Sequence, residues 1–418
     1  MRMLARLTTR ITLAVLAVGF GMVIARSPGV APEYIQPAAA APQRLYKKKI
    51  AHKPMAKRPA ARAASQPAIP PPRVDFSAAD QDGAGIPGVP DARVFADSVQ
   101  AYMQVMPSAE APWLILSEGG QDGAYGAGLL TGWSTAGNRP EFAVVTGVSA
   151  GALMAPFAFL GAKYDDVLRD QYTTLTAGDI FELAATGESL IDTWPLKQLI
   201  AKQVTEKLLA QVAAEHARGR RLFVVTTNLD AGRPVLWNMG AIAAHGGQRA
   251  LGLFRDILLA SSAVPGMFPP VLIEVAANGR KLHEMHVDGG TTAPFYVAPE
   301  AVLSGASEWR LPARALYVII NSKLNVDFMM PQRSTVSILG RSIAVALAAA
   351  TRDEIATVYK AARRDGIGFS LAYVDSGFTQ ESHGVIDPDY MRALFEIGVE
   401  RGRNGTAFRS DLPRLSQR

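Results

Sequence analysis

Phe142-Ala143-Val144-Val145-Thr146-Gly147-Val148-Ser149-Ala150-Gly151 is the stretch whose reading decides the fold. The run Phe142 to Thr146 is apolar and of strand type, and Ala152 to Leu160 reads as a helix. A serine between the two, flanked by Gly147 and Gly151, fits a nucleophile elbow: a sharp strand-to-helix turn that lifts a hydroxyl off the end of a sheet. Glycine on either side removes side chains that would collide with adjacent elements. The turn also sets the hydroxyl near the free N–H groups of a helix amino end, which favour negative charge.

Upstream, Trp113 to Ser117 is a second short apolar run. It is followed by Glu118-Gly119-Gly120-Gln121-Asp122-Gly123 and then by a helical stretch through Leu130 and Trp133. Strand, glycine-rich turn, helix, strand, elbow and helix make a βαβ unit, which predicts an α/β fold with a parallel sheet. Further strands are expected at Leu222–Asn228, Pro234–Met239, Val271–Val275, His286–Val287, Ala315–Asn321 and Phe369–Val374. Helices are expected at 92–106, 164–175, 194–218, 251–263, 337–364 and 391–402.

The chain has 418 residues, 49% of them hydrophobic, and no cysteine. Thiol catalysis, disulfides and cysteine metal sites are thereby excluded. The net charge of +6 is unevenly placed. Residues 1–74 hold thirteen Lys or Arg against Glu33 alone, and the rest holds 30 basic and 36 acidic residues, a balance of −6. A nucleic-acid-binding surface on the folded part is therefore not expected.

Arg2, Arg6 and Arg10 precede the apolar run Ile11 to Ala25. Residues 1–26 read as a signal peptide or an amino-terminal membrane anchor, and residues 27–91, rich in Ala, Pro and Lys, as a disordered tether. Residues 92–418 read as one α/β hydrolase domain. The expected location is across the inner membrane, periplasmic or anchored by residues 11–25, or secreted. Basic residues of the tether suit anionic head groups or cell-wall polymers, and serve equally well to keep the tether solvated.

An acyl-transferring serine needs an oxyanion site and a base. Gly119 and Gly120 can present backbone N–H groups without a side chain in the way. The turn after the first strand and the elbow after the second lie at the same end of a parallel sheet, where such sites form. Gly126-Ala127-Gly128 faintly echoes a nucleotide-binding turn, but no P-loop lysine follows. The six histidines are His52, His216, His245, His283, His286 and His383, and only His383 follows Asp288 as a Ser–Asp–His order requires. Asp288 ends a short apolar strand and is followed by Gly289 and Gly290, so its carboxylate can approach another loop. Asp-Gly-Gly would equally produce an Asx-turn or helix cap.

Glu118–Gly123, Gly147–Gly151 and Val287–Gly290 together resemble the patatin-like phospholipases, which carry a glycine-rich oxyanion loop, a G-x-S-x-G nucleophile and a D-G-G/A acid in that order. Ala260–Pro270 and Asn228–Asn238 also look like that family, and the resemblance covers roughly residues 112–325. It implies a three-layer α/β/α sandwich with a mostly parallel central sheet, and a lipid acyl hydrolase needing neither cofactor nor metal. It further implies Ser149 as nucleophile, Asp288 as base, and Gly119, Gly120 and Ala150 as oxyanion donors, with Gly123, Gly147, Gly151, Gly289 and Gly290 supporting the motifs. The implied partners are a lipid or ester substrate and a membrane surface. Two positions depart from the family pattern. Glu118 stands where a third glycine is usual, and Asp122 where a basic residue is frequent, so oxyanion stabilisation is left to backbone dipoles and anionic substrates are disfavoured. The competing readings are a non-catalytic envelope protein that binds lipid or a partner, and a histidine triad using His383.

Overall fold

The computed structural model describes residues 73–108, 110–183 and 188–413. The signal or anchor segment and the tether up to residue 72 lie outside these. Nine strands form one sheet: β1 (Arg93–Phe95), β2 (Ala111–Leu116), β3 (Val144–Val148), β4 (Arg221–Asn228), β5 (Arg233–Asn238), β6 (Val271–Ala277), β7 (Arg280–Asp288), β8 (Ala313–Lys323) and β9 (Gly368–Val374). The main order is β1-β5-β4-β3-β2-β8-β9, with β7 joined to β4 and β6 to β7. Strands β4, β3, β2, β8 and β9 are mutually parallel, and β5, β1 and β7 are antiparallel additions.

The central strands are apolar on both faces because both are covered. In β2, Leu114 and Leu116 enter one core while Trp113 and Ile115 enter the other. The first core packs the helices Gly123–Thr135, Ala150–Leu160, Gly247–Ser261 and Pro388–Asn404 onto one face. The second packs the carboxy-terminal half of the helix Thr335–Arg364, through Ile355, Val358, Ala361 and Ala362, onto the other. This is a three-layer α/β/α sandwich around a mostly parallel sheet, as the sequence implied.

The strand that ends in Asp288 arrives by an unusual route. β3 ends at Val148, opposite Val225 of β4. β4 continues, and its next residues, Thr226 to Asn228, pair instead with β7, so that Thr226 lies opposite Asp288. β3 and β7 thus occupy the same lane beside β4 and meet with their carboxyl ends facing. The residue after Val148 is Ser149, and the last residue of β7 is Asp288.

Three local expectations are corrected. The stretch 92–106 is not one helix: Arg93–Phe95 pairs antiparallel with β5, and the helix begins only at Val99, capped by Ser98. Ser98 accepts from the Ala101 amide at 3.4 Å, which fixes the start. The stretch 194–218 is two helices, Trp194–Gln203 and Glu206–Ala217, because Val204 is extended and Thr205 caps the second. The folded region also begins well before residue 92. Residues 73–91, assigned on composition to the tether, clasp the β6–β7 hairpin.

That clasp is specific. Arg73 forms an ion pair with Asp230 and donates to the His283 carbonyl. Gly85 bridges Ala276, Asn278 donates to Asp80, and Gln81 donates to the buried Glu284. Ile86 and Val89 are buried in the first core. A low-hydropathy segment can be ordered in this way because its few apolar residues fall at the contact and its polar ones find partners on a hairpin. The hairpin turns at Asn278-Gly279, both at positive φ, the conformation an Asn-Gly turn requires.

Deleting residues 1–91 should therefore destabilise the domain, where deleting residues 1–72 should not. Loss of the buried Ile86 and Val89 alone is worth about 3–5 kcal/mol, enough to lower Tm by roughly 5–10 °C. Thermal unfolding of the two truncated proteins side by side checks this, and equal Tm values would refute the clasp.

Candidate active site

Ser149 sits at the turn between β3 and the helix Ala150–Leu160, with φ 53° and ψ −119°. Among the described residues only Ser149 and Asn278 combine a side chain with positive φ. Such a backbone costs about 1–3 kcal/mol and persists only where its surroundings enforce it. The enforcing contacts can be named. The Ser149 amide donates to Ser261 Oγ at 3.0 Å, and Ser261 Oγ donates onward to the Val225 carbonyl of β4 at 2.7 Å. A Cβ on Gly147 would meet the Gly151 carbonyl at 2.4 Å, and one on Gly151 would meet the Leu116 carbonyl at 2.4 Å. Only glycine allows β2, β3 and the helix to close this tightly.

Asp288 is buried at the end of β7. Its Oδ1 accepts from the Gly290 amide at 2.8 Å, so the Asx-turn forms. Its Oδ2 is buried with no hydrogen-bond partner within range. Burial raises the Asp288 pKa to about 7, and the neighbouring Ser149 hydroxyl and the Gly290 amide pull it back only in part. The serine hydroxyl is thus close enough to favour the carboxylate, yet it falls outside strict hydrogen-bond geometry. Catalytic hydrogen bonds are often slack without substrate and tighten in the complex. The two oxygens of one side chain thus differ: Oδ1 is fixed by the turn and Oδ2 is left free.

The glycines after the acid permit close approach. A Cβ on Gly289 would lie 2.5 Å from the Val225 carbonyl. On Gly290 it would lie 1.8 Å from Glu118 Oε2 and 3.1 Å from Asp288 Oδ1, so the two carboxyl groups border one small volume. Burial, and then the Asp288 charge, raise the Glu118 pKa to about 8. Two carboxyls so placed do not both ionise at neutral pH; the pair retains a proton, and Glu118 holds it the more firmly.

The oxyanion loop is braced from β8. Gly119 has φ 155°, and a Cβ there would meet the Asn321 carbonyl at 2.1 Å. Asn321 Nδ2 donates to the Ser117 carbonyl at 2.9 Å, and its Oδ1 accepts from the Gly126 amide at 3.2 Å. The amides of Gly119, Gly120 and Ala150 make no hydrogen bond among the described residues, which leaves them available to a substrate oxygen. Gly123 serves differently. A Cβ there would strike the Tyr172 ring at 2.7 Å, and Tyr172 donates to the Ala150 carbonyl at 3.1 Å.

Asp122 turns away from the serine. Tyr390 donates to its Oδ1 at 2.9 Å, and burial raises its pKa to about 6. It ties the loop to the helix Pro388–Asn404, and Gln121 does the same by donating to Ser382 Oγ and accepting from the Asp387 amide. The histidines stand apart. His383 is exposed and its ring pairs with Asp387 at 3.3 Å. His286, fully buried, engages Thr226 Oγ1 at 2.9 Å and Glu284 at 3.0 Å. Among the described residues no group of three or more His, Cys, Asp or Glu could hold a metal ion.

Sequence reasoning missed Ser261 and Asn321. Ser261 lies in the Ala260–Pro270 stretch that resembled the family, but its task of holding the elbow amide has no sequence signature. Asn321 carries no sequence signal beyond that of a strand end.

Residues 114–299 match the family described as patatin-like phospholipase. No curated protein matches the chain. Among solved structures it is similar to VipD from Legionella pneumophila at 12% identity, covering 71% of this chain and 66% of that one, with a TM-score of 0.34.

Ser261→Ala should remove the acceptor of the Ser149 amide while keeping the side chain small. The expected outcome is a loss of about 1–3 kcal/mol in stability, measured by urea unfolding. An unchanged unfolding midpoint would show that the elbow does not depend on this bond.

Proposed function

From a patatin-like phospholipase domain at residues 114–299 as premise, we propose that the chain is a serine lipid acyl hydrolase, a phospholipase or esterase, working through an acyl-enzyme on Ser149. The observation that carries this reading is the buried, partnerless Oδ2 of Asp288 beside the strained Ser149. Asp288 accepts the hydroxyl proton as Oγ attacks the ester carbonyl. The amides of Gly119, Gly120 and Ala150 receive the developing oxyanion. The same proton then passes from Asp288 to the departing alkoxide, and the bond from carbonyl carbon to leaving oxygen breaks. Water repeats the sequence on the acyl-enzyme, releasing the fatty acid and restoring Ser149.

A dyad without histidine is chemically adequate here because burial lifts Asp288 from a weak base to one matched to neutral pH. The exposure of His383 and its pairing with Asp387 favour the dyad over a histidine triad. The retained proton on Glu118 keeps a second negative charge away from the oxyanion. The amino-terminal sequence supports export across the inner membrane, with the enzyme periplasmic, anchored through residues 11–25, or secreted.

Ser149→Ala should reduce hydrolysis of a short p-nitrophenyl ester by roughly 10³-fold or more and abolish labelling by a fluorophosphonate probe; full activity in this variant refutes the assignment. Wild-type protein that resists the probe would instead support a non-catalytic, lipid- or partner-binding role.

The pH dependence follows from the two carboxyls. Asp288 must be ionised to act as base, so kcat/KM should rise as pH increases through about 7. It should fall again as Glu118 ionises near about 8 and sets a charge beside the oxyanion. In Glu118→Gln the ascending limb should remain and the descending limb disappear. A profile already flat from pH 5 upward would contradict the assignment of Asp288 as base.

A further inference from the structure

The exposed large apolar residues of the folded region are not scattered. Six of the thirteen fall between residues 328 and 345: Phe328 at 91% exposure, Met330 at 81%, and Ile338, Leu339, Ile343 and Val345 at 45–58%. They belong to the loop after β8 and to the first half of the helix Thr335–Arg364. From Thr335 to Ala350 that helix contains one charged residue, Arg341. Its second half buries Ile355, Val358, Ala361 and Ala362 against the sheet, and among its described side chains the first half contributes no large apolar one to either core.

The loop is held, not splayed. Arg341 donates to the Asp327 carbonyl, Arg352 donates to the Leu324 carbonyl, and Lys323 pairs with Asp327 at 2.6 Å. Ser334 caps the helix by accepting from the Ser337 amide at 3.3 Å. The apolar tips are therefore presented outward by a braced scaffold. The scaffold also adjoins the reaction centre: β8 reaches the loop through Asn321, whose carbonyl abuts Gly119, and the charges of Lys323 and Asp327 act on the buried Asp122 of the oxyanion loop.

We infer that the face formed by Phe328, Met330, Ile338, Leu339, Ile343 and Val345 docks this protein on an anionic lipid bilayer beside the mouth of its active site. The inference rests on the lipid acyl hydrolase reading, and it adds where the substrate's own surface is met. Charge selects the bilayer over a second copy of the chain. Lys323, Arg333 and Arg341 border the apolar face against the single acid Asp327, whereas residues 75–418 as a whole are acidic. A two-fold contact through this face would bring like-charged arginines together, while a phosphate-rich surface satisfies them. An apolar helix face with flanking arginines and bulky tips lies naturally in the head-group region, and an unpartnered apolar patch of this kind marks an interaction surface.

The chain has no cysteine, so a single introduced thiol reports one position without ambiguity. Phe328→Cys and, as control, Lys281→Cys at a 76% exposed lysine on the β6–β7 hairpin are each placed in the full-length Ser149→Ala protein. Both are labelled with an environment-sensitive fluorophore. Vesicles of phosphatidylcholine with phosphatidylglycerol should shift emission at position 328 to shorter wavelength, with salt weakening the effect, and leave position 281 unchanged. No shift at 328 overturns the inference, as does a shift that depends on protein concentration without vesicles. Because the Ser149→Ala readout needs no turnover, failure of docking is distinguished from failure of the hydrolase reading, which soluble-ester hydrolysis by the wild type tests. In the active protein, Phe328→Ser with Met330→Ser should lower hydrolysis of vesicle lipid about tenfold and spare the soluble ester.

Discussion

The site depends on how β4 shares its edge. For five residues β4 pairs with β3, and for the next three it pairs with β7. The change of partner at Thr226 brings two carboxyl-terminal strand ends together in one lane, and the backbone ladder sets where they meet. Ser149 and Asp288, 139 positions apart in sequence, become neighbours through main-chain hydrogen bonds that do not depend on the chemistry of either side chain. Pairing on a pleated sheet is strict, because a slip of one residue would turn Asp288 to the opposite face. Ser261 then joins the elbow amide to the Val225 carbonyl, so the same strand that positions the acid also supports the strained serine.

Around that meeting point the molecule accepts local costs. Ser149 occupies a backbone region most residues avoid. Asp288 keeps a buried oxygen without a partner, and Glu118 is pressed against the Gly290 α-carbon. Glu284, deep in β7, is met by Arg93, Gln81 and His286 together, and against its burial the hydrogen bonds and charges of Arg93 and His286 depress its pKa to about 2. Two carboxylates on the same strand, four residues apart, therefore have opposite character: one is saturated with donors, and the other is left under-satisfied and basic.

Much of this was legible in the sequence. The strand–Gly-turn–helix–strand–elbow succession from Trp113 to Leu160 established the parallel sheet, since each element carries a local signal. Gly119, Gly147, Gly151, Gly289 and Gly290 are close approaches, as their positions in and beside the motifs suggested. What the sequence hid was set by long-range partners. The segment 73–91 has the composition of a tether, and only the β6–β7 hairpin gives it a place to fold. Arg93-Val94-Phe95 continues a helical pattern until β5 offers it a strand edge. Ser261 and Asn321 act through hydroxyl and amide contacts with residues over 100 positions away, and no periodicity announces such contacts. Asp122 stands where a basic residue is frequent in the resembled family, and its bond from Tyr390, 268 positions on, gives it a bracing role no local pattern carries.

The crowding of acids near the serine bears on how the protein endures, apart from what it catalyses. Glu118, Asp122 and Asp288 all hold protons more tightly when folded than an open chain would. Raising the pH from about 4 to 8 strips those protons from the unfolded chain first, so the native state loses ground throughout that interval. Glu284 works in the other direction, its contribution present at neutral pH and lost only in strong acid. The two tendencies therefore act in different pH intervals, the first above about 4 and the second below it. The acids crowded around Ser149 thus work against the fold as pH rises, while the well-partnered Glu284 on the same strand as Asp288 works for it.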